Sequence, residues 1–345
     1  MKSRKFIATA LTVLLLLSLQ LAAAKSKPAT EKKQGQFFIA PEVAAVFAAG
    51  VSTRTNRGDI PMTYLRTLYL PAQQDQIYPV FLFQMKNADL NFSAQPETPG
   101  VLKAKHMAFI RVYRMENGLP GAIVKERNIH FDLEENQQGF QPDALNYYSI
   151  AGDIYPPGSY LLALAVSTAD FAKIAACYTE FSLPDFAGIK DKLVTTPVFS
   201  VRDLQMMQAA ETKLLIHKNS FVYNTLLLAP DLKNEFKANE NLDLFYFIIG
   251  AKPDSASKAL NLQVTYKFNK DGKEVNKMAP QTVNSPIISQ PIAFTFTEVT
   301  KNDKGVETER QEKLLEPGNY VLEIEILDNV SQAKGLQEFT FKIVL

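Results

Sequence analysis

From about residue 37 to the C-terminus, apolar and polar residues alternate in short runs, and each run ends in a cluster rich in Gly, Pro, Asn or Asp. A side-chain period of two sends one face of a strand to an interior and the other to water. The clearest run sets Tyr320, Leu322, Ile324 and Ile326 against Val321, Glu323, Glu325 and Leu327. Near the C-terminus, Phe339, Phe341 and Ile343 alternate with Glu338, Thr340 and Lys342. Turn clusters such as NRGD, NGLPG, YPPGS, NKDG and EPGN fall between the runs, and hairpins are expected at Asp271-Gly272 and near Gly305. Many short strands with regular turn signals predict an all-β fold built from sandwiches.

Two stretches repeat one another. PPGSYLLALAV (156–166) and EPGNYVLEIEI (316–326) each open with Pro-Gly-x-Tyr and continue as an alternating strand. An ungapped alignment of 157–183 with 317–343 carries five identities, Pro157/Pro317, Gly158/Gly318, Tyr160/Tyr320, Leu162/Leu322 and Phe181/Phe341. Average residue usage would give about one or two. Upstream, 62–71 resembles 221–230, 78–85 resembles 242–249, and 109–118 resembles 262–272 with a one-residue slip. The pattern predicts an internal duplication: two tandem sandwiches of the immunoglobulin-like or fibronectin-like kind, over 37–188 and 189–345, linked within 183–197. In such sandwiches a tyrosine at a strand corner buries its ring and bonds its hydroxyl to the backbone just upstream. Pro157, Gly158 and Tyr160, and Pro317, Gly318 and Tyr320, fit that structural corner.

The opposite strand face differs between the copies. It carries Glu323 and Glu325 in the second but Leu161, Ala163 and Ala165 in the first. A strand apolar on both sides is usually covered on both. Leu161, Ala163 and Ala165 are therefore expected to meet the other domain, the segment 37–50 or a partner, which makes them a candidate interaction face. Segment 37–50 (FFIAPEVAAVFAAG) reads as helix or strand, with strand preferred, and 201–215 carries the same ambiguity.

The N-terminus adds localisation. Lys2, Arg4 and Lys5, an apolar stretch from Phe6 to Leu21 and the small residues Ala22-Ala23-Ala24 read as a cleavable signal peptide, 1–24, with an uncleaved anchor helix as the alternative. A polar leader, 25–36, follows. These features predict a secreted or periplasmic protein, with no membrane span once the signal is removed. Losing the signal's three basic residues leaves 34 Lys plus Arg against 36 acids. That balance lacks the basic patch that nucleic-acid binding needs. The single cysteine, Cys177, excludes an internal disulfide and a thiolate zinc site and reads as a small buried hydrophobe.

Candidate chemistry is sparse. The histidines are His106, His130 and His217, and none has another at metal-ligand spacing. His130, Asp132 and Glu134 share one strand face, which reads as a solvated face or as part of an acid–base or metal site. No nucleophile elbow, dinucleotide fingerprint or phosphate loop occurs. Arg57-Gly58-Asp59 is a three-residue integrin-type motif, and Asn91 and Asn329 fit glycosylation sequons. The absence of tryptophan argues mildly against a sugar-stacking platform. No cofactor is expected. The expected function is binding of a protein or cell-envelope component by a non-catalytic sandwich protein. The alternatives are a hydrolase or metal-dependent enzyme assembled from distant loops, including His130 and Asp132, and a glycan-binding module.

From FSVRDLQ (199–205) to the end, and above all in LLEPGNYVLEIEILDNVSQAKGLQEFTFKI, the chain resembles the β-rich region of GWxTD-domain proteins of environmental bacteria. With no tryptophan, the naming motif of that family cannot occur here. The resemblance implies an exported β-protein and no active site.

Overall fold

The computed structural model describes residues 39–73, 75–189, 192–211, 214–301 and 307–345, with the side chains of 298–301 and 307–310 left aside. The expected signal peptide and leader lie outside the described residues, as does Gly305 at the second expected hairpin.

The first half opens with a helix, α1 (Pro41–Thr53), followed by β1 (Thr63–Pro71), β2 (Ile77–Lys86), β3 (Val101–Glu116), β4 (Leu119–Asn136), β5 (Leu145–Ile150), β6 (Gly158–Thr168) and β7 (Ile174–Leu183). One antiparallel sheet runs β7-β6-β3-β4 and the facing sheet β5-β2-β1. The second half holds β8 (Phe199–Met206), β9 (Leu226–Asp231), β10 (Asn241–Ile249), β11 (Leu262–Lys270), β12 (Lys273–Lys277), β13 (Ile287–Ala293), β14 (Gly318–Asp328) and β15 (Lys334–Val344). Its sheets run β15-β14-β11-β12 and β13-β10-β8-β9. A two-stranded ribbon, Thr295–Lys301 with Glu307–Leu314, accompanies the second half. The described residues are thus all-β apart from α1 and short 3₁₀ turns. No helix among the described residues is long and apolar enough to cross a membrane.

Alternation builds both cores. Phe83, Ile110, Phe131, Leu162 and Leu164 meet in the first, and Leu244, Val264, Leu322, Ile324 and Phe339 in the second. Buried polar groups in the second core find each other, as in the Tyr246–Tyr266 hydroxyl pair at 3.0 Å. Burying such groups unpaired would cost roughly 1–3 kcal/mol each.

Strand order supports most of the sequence repeat. β3, β4, β6 and β7 occupy the places of β11, β12, β14 and β15, and β2 and β10 are the central strands of the facing sheets. One pairing needs correction. Segment 62–71 lies directly beside β2, but 221–230 is kept from β10 by β8. The sheet position of β1 therefore belongs to β8 in the second half, and similarity of short apolar runs misassigned it.

Segment 37–50 also needs correction, because it is helical from Pro41. Val43, Val46, Phe47 and Gly50 are its buried residues, an i, i+3, i+4, i+7 stripe. Pro at the first turn, four alanines and a left-handed cap at Arg54 (φ 58°) complete the helix. Segment 201–215 begins as strand β8 and leaves it after Met206.

The halves are not cleanly separable at 188/189. Ile216–Lys218 pairs with β5 and extends the first half's sheet. Phe221–Tyr223, a few residues later, pairs with β9 in the second. Tyr78 donates to the Val222 carbonyl at 2.8 Å and Tyr223 to the Pro71 carbonyl at 2.7 Å, with the two rings edge to face at 5.5 Å. Phe199, Phe221, Phe245 and Tyr246 are fully buried around this joint and the core beneath it.

Candidate interaction surface

The two corners share one construction. Tyr160 donates to the Pro156 carbonyl at 2.6 Å, and Tyr320 donates to the Glu316 carbonyl at 2.8 Å. Tyr160 stacks on its cross-strand partner Phe181, and Tyr320 on Phe341, both at 5.3 Å. A cation stands over each ring: Arg114 at 5.1 Å and Lys270 at 5.6 Å. Arg114 also donates to the Tyr160 hydroxyl and the Pro157 carbonyl, and Lys270 to the Pro317 carbonyl. Gly158 and Gly318 have φ of 145° and 153°, and a Cβ on either would strike that cation. Pro157, Gly158, Tyr160, Pro317, Gly318 and Tyr320 thus belong to two structural knots. The paired cations were not found from sequence, although Arg114 and Lys270 stand directly across the sheet from the two tyrosines.

Leu161, Ala163 and Ala165 meet segment 37–50, one of the three covers expected for them, and so are not left as an open interaction face. They are fully buried beneath α1, together with Phe109, Ala176 and Tyr178. The small side chains admit the helix closely. Tyr178 donates to the Val46 carbonyl at 2.8 Å, and Arg111 lies over Phe47 at 5.6 Å. The chain supplies its own cover.

Other candidates from the sequence are engaged or scattered. Arg57 and Asp59 pair with each other at 2.6 Å, and Asp59 accepts the Ile174 N–H. The tripeptide is tied into the edge beside β7. Cys177 is buried, and burial pushes its thiol up to about 12. His130, Asp132 and Glu134 line the exposed face of β4, where Glu134 pairs with Lys103 at 2.6 Å. His217 bonds Glu211 at 2.9 Å. Among the described residues, no three His, Cys, Asp or Glu side chains gather as a metal-binding group. Asn91 is exposed in a left-handed turn, and Asn329 donates to Asn261.

Two open surfaces stand out among the described residues. The first is a hollow of about 820 Å³ on the outer face of β11, β14 and β15, lined by Lys233, Asn269, Asn319, Glu323, Glu338 and Thr340 among others. It lies on the sheet equivalent to the one that α1 covers in the first half. Lys267 bridges Glu323 (2.9 Å) and Glu325 (2.6 Å) on that sheet face, which holds its ammonium above the usual range.

The second is the edge of the first sandwich. Among the described residues, β4 pairs with β3 alone along its eighteen residues. The strand begins after the Asn117-Gly118 turn with Leu119-Pro120-Gly121-Ala122-Ile123-Val124, six residues without a charge. Leu119 is 69% exposed, Ile123 46% and Val124 41%. Proteins commonly protect such edges with charge or short length. Pro120 and a register shift at Val124 interrupt this run, and charge enters only at Lys125, Glu126 and Arg127, which are held by Asp153 and Arg111. The uncharged run was visible in the sequence, but its position at an open edge was not.

No known protein family matches the chain, and no curated protein does. The GWxTD-type resemblance therefore has no counterpart in these comparisons. Among solved structures, the chain is similar to fibronectin(III)-like modules of CbhA from Clostridium thermocellum. Identity is 12%, covering 83% of this chain and 94% of that one, with a TM-score of 0.18. It is also similar to a calcium-binding mutant of Bacteroides uniformis beta-glucuronidase 2. There the identity is 10%, covering 85% of this chain but 30% of that one, with a TM-score of 0.22.

Proposed function

We propose that this is an exported, non-catalytic sandwich protein that binds another protein by adding an extended segment of it to the edge of β4. The observation that carries this reading is the unpaired edge beginning with the uncharged run Leu119–Val124. An edge strand offers a row of backbone N–H and C=O groups that an incoming strand satisfies, while alternate side chains give selectivity. The partner segment is extended and apolar where it meets Ile123 and Val124.

The test is a pull-down from envelope extract, with bound proteins identified by mass spectrometry. Ile123→Lys places an unmatched charge on the edge and is expected to lose the partner that the wild type captures. Val275→Lys, at an exposed position on the second sandwich, is expected to keep it. Equal capture by wild type and Ile123→Lys would rule out this edge. A second reading, a glycan site in the hollow of the second sandwich, is favoured by Asn234, Asn269, Asn319 and Thr340, set there among charged side chains; a glycan array addresses it.

A further inference from the structure

His106 lies on β3 between Ala104 and Ala108 of the first core and is 3% exposed. Neither ring nitrogen has a hydrogen-bond partner in the structure. Its cross-strand neighbours are Phe131 on β4 and Thr168 on β6, and the Phe131 ring centroid is 6.1 Å away. Phe131 packs edge to face at 4.9 Å against Tyr148 of the facing sheet, whose hydroxyl also lacks a partner. A neutral imidazole in this setting leaves one donor and one acceptor unmet. An imidazolium would add a full charge with no partner, which is far more costly.

The groups around the ring do not supply that partner. Asp132 on β4 is the carboxylate whose field reaches it. Thr168 on β6 is neutral, and its hydroxyl bonds Asp170 at 2.6 Å. Tyr148 on β5 presents a phenol, itself near Glu135 and pushed toward its neutral form by burial. Lys105 and Met107, the neighbours on β3, alternate to the other face. Burial outweighs Asp132 and lowers the imidazole from its usual value.

We propose that His106 is an acid latch of the first sandwich: its neutral ring allows that core to close, and mild acid loosens this half while the second stays folded. The second core contains no histidine, since none occurs after His217, which itself lies on the first half's sheet. The unfolded imidazole takes its proton near pH 6.5, before the buried one does. The latch is therefore fully closed above that pH. As pH falls below it, the folded-to-unfolded ratio drops by about tenfold per unit until the folded ring also titrates.

The test is hydrogen exchange read by mass spectrometry on the full chain at pH 7.5 and 5.5, corrected for intrinsic exchange, for wild type and His106→Leu. The expected result is a loss of protection in the first-half core strands of the wild type, by at most about tenfold relative to the leucine variant. The second core should keep the same wild-type-to-variant ratio at both pH values. Equal pH dependence in the two proteins would overturn the proposal. Should the variant fail to fold, NMR titration of the three wild-type histidines decides. A His106 resonance that stays neutral at pH 5.5 supports the latch, and one titrating near pH 6.5 in the folded protein refutes it.

Discussion

At each corner a tyrosine hydroxyl bonds to the carbonyl four positions upstream, a phenylalanine stacks on the ring from the next strand, and a cation stands over the ring. The copies differ in that cation. Arg114 donates a charged hydrogen bond to the Tyr160 hydroxyl at 2.7 Å as well as lying over the ring. Removing the Tyr320 hydroxyl forfeits its bond to the Glu316 carbonyl, worth about 1 kcal/mol, and a looser contact with Lys270. Tyr160→Phe also strips an acceptor from a guanidinium, and bonds to charged groups are worth roughly 1.5–3 kcal/mol. Urea unfolding is expected to show a larger loss for Tyr160→Phe than for Tyr320→Phe. Equal losses would mean that Arg114 finds a substitute acceptor.

Among the elements, α1 has the most consequence, because it turns a sheet face that would otherwise be exposed and apolar into a third layer. Its fit depends on Gly50. A Cβ there would lie 2.2 Å from the Tyr178 ring, which is fixed by its own bond to the Val46 carbonyl. Gly50→Ala would gain roughly 1 kcal/mol of helix propensity. Overpacking typically costs about 1–3 kcal/mol, and with Tyr178 pinned the clash is expected to prevail. The variant should melt at a lower temperature than wild type. An unchanged or higher melting temperature would show that the helix rides freely on the sheet. In the second half the equivalent face needs no such cover, because Glu323, Lys267 and Glu325 form a charged row that water solvates.

At the scale of the whole molecule, the second half completes the first. Phe38–Leu345 form one compact unit, and Ile216–Lys218 extends the sheet through β5. Cutting at 188 removes that strand and the Tyr223 side of the joint, leaving Tyr78 and Tyr147 without their bonds to Val222 and Pro230. A fragment of 37–188 is expected to be less stable than the same half in the full chain, as read by thermal melting or limited proteolysis. A fragment as stable as the parent would make the joint an ordinary linker contact.

Alternation of residue types along the chain was enough to identify the all-β class, the inward-facing residues of β6 and β14 and the repeated Pro-Gly-x-Tyr corners, because a strand's period of two is a local property. It also required that Leu161, Ala163 and Ala165 be covered. Which segment covers them was decided by tertiary packing, since the stripe Val43, Val46, Phe47 and Gly50 gains its meaning only against a sheet of small residues. The same holds for Arg114 and Lys270, far in sequence from the tyrosines they cap, and for β8, which took a place that sequence likeness had assigned to 221–230. The open edge of β4 was likewise beyond sequence, because a strand is an edge only by virtue of what fails to lie beside it.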